Sequence, residues 1–80
     1  MKLPAIKSIA EQFTLQQLQQ AEEKLLNEET PDIDIPGDDD GEKLTHVLAA
    51  IDILNRVAHE GCDLRTAIRQ FSERVRNSIS

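Results

Sequence analysis

The stretch Gly41-Glu42-Lys43-Leu44-Thr45-His46-Val47-Leu48-Ala49-Ala50-Ile51-Asp52-Ile53-Leu54-Asn55-Arg56-Val57-Ala58-His59-Glu60-Gly61 decides the fold. It holds no proline, and its apolar residues recur three and four apart, the period of a helix. Asp39 and Glu42 can form a capping pair, and Gly61 stands where a C-terminal cap belongs. The reading predicts a helix from about Gly41 to Glu60. Leu44, Val47, Leu48, Ile51, Leu54 and Ala58 make its main stripe. Ala50, Ile53 and Val57 form a second stripe that carries the apolar arc well past half the circumference. Only Thr45, Asp52, Arg56, His59 and Glu60 make a polar face. So wide an arc belongs either to the central element of a bundle or to a helix covered by another chain. Both readings stay open, and the small size of the chain favours self-association. Ala50, Ile53 and Val57 are therefore the expected interface of a homodimer. Ile53→Asp would split such a dimer and leave a helical monomer, whereas in a buried central helix it would unfold the domain.

Downstream, Asp63 can cap a last helix, about Leu64 to Ile79. Leu64, Ala67, Ile68, Phe71, Val75 and Ile79 fall in an arc of roughly 120°, the mark of one-sided packing. Arg65, Arg69 and Arg76 lie within about 40° of one another on that helix. Arg74 lies apart, at the border of the core. Three aligned guanidinium groups can take a carboxylate or a phosphate. The plainer reading is a solvated face, or pairing with the chain's own acidic linker.

Upstream, Thr30-Pro31-Asp32-Ile33-Asp34-Ile35-Pro36-Gly37-Asp38-Asp39-Asp40-Gly41 is the one linker, about residues 30–41, since two prolines and two glycines exclude a helix interior. Ile33 and Ile35 alternate with Asp32 and Asp34, which suggests an extended segment pinned by one side to the helices. Before it, Thr14 and Gln17 have capping-box spacing, with Phe13 and Leu18 at the staple positions. Leu15, Leu18, Ala21, Leu25 and Leu26 supply the apolar face of a helix ending near Glu28 or Glu29. Gln16, Gln17, Gln19 and Gln20 fall on its exposed face. A short helix, about residues 4–12, comes first, with Pro4 in its first turn. The fold class expected is an all-α small bundle: three main helices, a short N-terminal one, and an acidic Pro/Gly linker, in a single domain over residues 1–80.

Leu, Ile, Val and Phe make up 22 of the 80 residues, enough for a small core without Trp or Tyr. Residues 1–43 hold 4 Lys against 11 acids, and residues 44–80 hold 5 Arg against 4 acids. A net charge of −6 gives no general attraction to nucleic acid or to anionic lipid. Cys62 is the only cysteine, which excludes an internal disulfide and suits a reducing compartment. The longest apolar run, Val47 to Ile51, is far short of a membrane helix. The expected location is the cytoplasm.

The chemistry of the candidate sites is thin. The linker fits an EF-hand in neither register: starting at Asp32 puts Pro36 at position 5 and Lys43 at 12, and starting at Pro36 puts Val47 at 12. His46 and His59 lie on different sides of their helix, and Cys62 has no His at ligand spacing. His46 reads as a core or rim histidine, and Asn55 as a residue needing a buried partner or a wet edge. No phosphate loop, nucleophile elbow, Cys-x-x-Cys or His-Glu-x-x-His is present. The expectation is therefore no metal, no cofactor and no catalysis.

Met1-Lys2-Leu3-Pro4-Ala5-Ile6-Lys7, Gly41-Glu42-Lys43-Leu44-Thr45-His46-Val47-Leu48-Ala49-Ala50 and Arg74-Val75-Arg76-Asn77-Ser78-Ile79-Ser80 resemble segments of a family of short uncharacterised bacterial proteins, a domain of unknown function. The resemblance spans most of the chain. It implies a bacterial cytosolic protein and transfers no functional residue. The function expected is a non-catalytic protein–protein interaction module that associates with itself. The alternative is a small anionic or phosphate-bearing ligand on Arg65, Arg69 and Arg76.

Overall fold

The computed structural model describes residues 2–79, with side-chain surroundings for residues 2–76. It is all-α: α1 is Leu3–Gln12, α2 Leu15–Leu26, α3 Asp40–Glu60 and α4 Leu64–Ile79. The place of the Ile79 side chain in the α4 arc lies outside the described residues. The bundle is a slab, 31 × 29 × 17 Å, with a radius of gyration of 12.2 Å.

Local chemistry sets each boundary. Pro4 stands in the first turn of α1, where no N–H is needed. Phe13 and Thr14 are extended and turn the chain into α2. There Thr14 Oγ1 accepts from Gln17 N–H at 3.2 Å, and Gln17 Oε1 accepts from Thr14 N–H at 2.9 Å, closing the expected capping box. At the other end α2 stops at Leu26, two residues before the expected limit. Glu28 takes the left-handed conformation, φ 62°, with Glu29 N–H on Lys24 C=O and Glu28 N–H on Leu25 C=O. These two bonds form a Schellman motif, usually built on glycine. Asp39 Oδ1 accepts from Glu42 N–H at 2.7 Å and starts α3. Gly61, φ 67°, ends it.

The linker runs extended across α3. Ile35 is buried and Ile33 half-buried, while Asp32 and Asp34 point to solvent, as the alternation required. Asp32 pairs with Lys24 of α2 at 3.3 Å, so the linker's ion pair goes to α2 and not to the α4 arginines. At Gly37, φ 150°, a Cβ would sit 2.8 Å from Lys43 Cγ and 3.0 Å from Lys43 N. Only glycine lets the linker pass so close to the first turn of α3.

α3 is the central element, and the other three helices all pack on it. The core is aliphatic: Ile6, Ile9 and Ala10 from α1, Leu18, Ala21 and Leu25 from α2, Val47, Ala49, Ala50 and Ile53 from α3, Ala67 and Phe71 from α4, and Ile35 from the linker. Each large member contributes about 1.5–3 kcal/mol by leaving water. Leu26, assigned to the apolar face of α2 by spacing, is 61% exposed, because the helix ends there and nothing covers it.

Candidate interaction surface

The packed flank of α3 is the one expected to stay open. Ala50 and Ile53 are wholly buried within the chain, and Val57 is half-buried. Ala50 and Ile53 therefore present no surface to a second chain, which corrects their assignment as interface residues. The reason is side-chain size. Ala49 and Ala50 let a neighbouring helix approach closely, and helix pairs settle where the contact residues are small.

His46 belongs to the same flank. It is 0% exposed. Its Nδ1 lies 2.8 Å from Pro36 C=O, and its Nε2 accepts from Lys2 N–H at 3.1 Å. A carbonyl can only accept and an amide can only donate, so the ring is neutral with its proton on Nδ1. Lys2 is the N-cap of α1. One side chain thus joins α3 to the start of α1 and to the linker, a structural role that leaves neither nitrogen free for catalysis.

The opposite flank is half-bare. Leu44, Leu48, Ile51, Asn55 and Ala58, spaced four, three, four and three apart, lie in one line. Leu48 is 46% exposed and Ala58 is exposed; Leu44, Ile51 and Asn55 are half-buried. Asn55 stands at this wet edge. Beside the row, α3 and α4 leave a shallow groove of about 490 Å³ between Thr45, Leu48, Ala49, Asp52, Phe71, Arg74 and Val75. Ala49 and Phe71, both nearly buried, form its floor. Arg74 donates to Asp52 across it, so the groove is bordered by a neutralised pair. Further along, Arg56 donates to Glu60 at 3.1 Å and to Gln70 at 3.4 Å, tying the C-terminal half of α3 to α4.

Arg65, Arg69 and Arg76 are all exposed, and no hydrogen bond or ion pair is recorded for them among the described residues. Arg65 and Arg69 are one turn apart, but Arg76 is about 16 Å from Arg65 by helical rise. The three cannot hold one small anion. Asp63 caps α4 by accepting from Thr66 N–H at 2.8 Å. The hydrogen bonds from Thr66 hold its carboxyl below the ordinary value of 3.8, with the charges of Arg65 and Arg69 adding to the effect. Cys62 is a half-buried free thiol whose Sγ lies 3.8 Å from Arg56 C=O. No group of three His, Cys, Asp or Glu able to hold a metal exists among the described residues. No helix among them is long and apolar enough to cross a membrane.

The open row escaped a reading by spacing because every one of its residues except Asn55 is apolar. A signal was present: His46 shares an arc with Ala50 and Ile53, and a histidine that finds two backbone partners marks the packed side. The surface is thus an apolar row with a salt-bridged border, and no convergent acid, base and nucleophile accompanies it. No curated protein and no solved structure matches the chain. A family model matches residues 1–80, that of DUF6952, a family of unknown function, and the chain belongs to that family.

Proposed function

We propose that the chain is a non-catalytic protein–protein interaction module that pairs with a second copy of itself through the open flank of α3. The observation that supports this is the row Leu44, Leu48 and Ile51, only partly covered within the chain, with Leu48 nearly half exposed. Apolar surface left open beside a groove is where a partner gains most by excluding water. A second copy suits the row because a two-fold axis near Ile51 brings its two halves together, with Leu48 beside the other copy's Asn55. Antiparallel α3 helices then set Leu44 against Ala58, with Ile51 meeting its own copy. The helix dipoles then oppose each other.

We place this module in the cytoplasm, where the free Cys62 thiol stays reduced. Sedimentation equilibrium tests the reading. At high micromolar concentration the species should have twice the 9.0 kDa chain mass and persist in molar salt, because apolar contact is not screened. A monomer at every concentration, or a dimer that dissolves in salt, contradicts it.

A further inference from the structure

A second groove, about 310 Å³, lies between α1 and α4, away from the proposed dimer flank. It exists because α1 and α4 both pack on α3 and only graze each other. Lys7 and Glu11, one turn apart, line it from α1; Leu64, Arg65 and Ile68 line it from α4. Leu64 and Ile68 are half-buried and form an apolar floor, and the three charged residues are exposed. Lys7 and Arg65 face the groove from opposite walls. The side chains of Lys7 and Glu11 make no hydrogen bond or ion pair among the described residues, and that of Arg65 interacts electrostatically with Asp63. In a chain of net charge −6, this groove carries two cations against one acid. Asp63, ionised and capping α4 through Thr66 N–H, stands near Arg65 and shares its field, so Lys7 is the cation of the groove with no acid acting on it besides Glu11. Leu64 and Arg65 belong to the first turn of α4, whose N-terminal amide at Thr66 is already taken by Asp63.

We infer that this groove binds a small aliphatic carboxylate. The guanidinium of Arg65 matches a carboxylate in two parallel hydrogen bonds, and Lys7 adds a point charge from the other wall. The hydrocarbon body lies on Leu64 and Ile68. The volume is at the small end of ligand sites, which suits a short chain. Inorganic phosphate fits less well, since it leaves the apolar floor wet and brings a second negative charge toward Glu11. An uncharged alcohol of equal length uses the floor but not the cations. The inference does not depend on the dimer, because the two surfaces use different flanks.

The test is an amide NMR titration of the whole chain with octanoate, octanol and inorganic phosphate. Octanoate should shift Lys7, Glu11, Leu64, Arg65 and Ile68 saturably and leave Leu48 and Asp52 unmoved. Octanol and phosphate should each bind at least about tenfold more weakly, the worth of one charge-assisted pair or of the buried chain. The double variant Lys7→Gln/Arg65→Gln should lose octanoate binding by a similar factor. Both side chains are exposed, and an unchanged amide spectrum elsewhere will show the variant folded. The inference is overturned if octanoate moves none of these amides, if it moves the Leu48 groove instead, if phosphate binds as tightly, or if the double variant binds octanoate unchanged.

Discussion

The two flanks of α3 both carry apolar residues and meet opposite fates. One flank has Ala49, Ala50, Ile53 and His46, and it is buried. The other has Leu44, Leu48, Ile51 and Ala58, and it is half open. Leu44 and Leu48 lie on the half-open flank and Ala49 and Ala50 on the buried one, with Ile53 buried beside them and Ala58 exposed. Ala49 and Ala50 permit a short distance between helix axes on the buried flank, and His46 there bonds Lys2 N–H and Pro36 C=O. Hydrophobicity says which faces can be buried. Size and polar partners decide which one is.

The largest expected effect comes from placing a charge on the closed flank. Ile53→Asp puts an unpaired carboxylate at a site with no water, a loss of about 4 kcal/mol or more, comparable to the whole stability of so small a domain. Circular dichroism should show an unfolded chain at room temperature. A folded, helical Ile53→Asp monomer would restore this residue to an interface and reverse the assignment of the flanks.

His46→Leu is the next largest. It keeps an apolar volume but strips Lys2 N–H and Pro36 C=O of their partner, at a cost of about 2–4 kcal/mol in urea unfolding. His46→Gln, whose amide can both donate and accept, should recover a good part of that loss. Equal losses in the two variants would mean that the ring's packing, and not its two hydrogen bonds, holds the start of α1 and the linker.

On the open flank the same kind of charge should be tolerated. Leu48→Asp should leave the melting curve of the monomer nearly unchanged, within about 1 kcal/mol, while abolishing association. The contrast with Ile53→Asp, only five residues away, is the comparison in one pair of variants. If Leu48→Asp also unfolds the chain, the flank is core and the dimer proposal falls.

The smallest effect concerns the join between α3 and α4. Asp63 titrates lower when folded than when unfolded, because Thr66 hydrogen-bonds its ionised form and Arg65 and Arg69 favour the charge. The cap therefore adds stability above the unfolded value, near 3.8, and that share is lost as the pH falls through the lower folded value. Asp63→Asn also caps a helix but does not titrate. Thermal melts between pH 2 and 5 should show a shallower acid decline in Asp63→Asn than in the wild type, with little difference at neutral pH. Parallel declines would count against the cap's ionic character.

Element identities and caps were legible because they are local. Thr14 with Gln17, Asp39 with Glu42, Asp63 with Thr66, and Gly61 each act within a few residues. The side of the linker that docks was legible from the alternation of Ile33 and Ile35 with aspartates. The end of α2 was not, because Glu28 adopts a conformation that its residue type disfavours. The choice of flank on α3 was not, because it depends on where α1, α2 and α4 come to rest, and spacing along one helix carries no such information. The groove between α1 and α4 escaped for the same reason: Lys7 and Arg65 are 58 positions apart, and only the fold brings them together.

The measurement that bears most directly on the open flank is an amide NMR dilution series of the wild-type chain, from millimolar to low micromolar. Concentration-dependent shifts should gather on Leu44, Thr45, Leu48, Ile51, Asp52 and Ala58, and should spare Ala50, Ile53 and His46. Spectra that do not change across the series, or changes confined to Arg65 and Arg69 of α4, would contradict self-association through this face of α3.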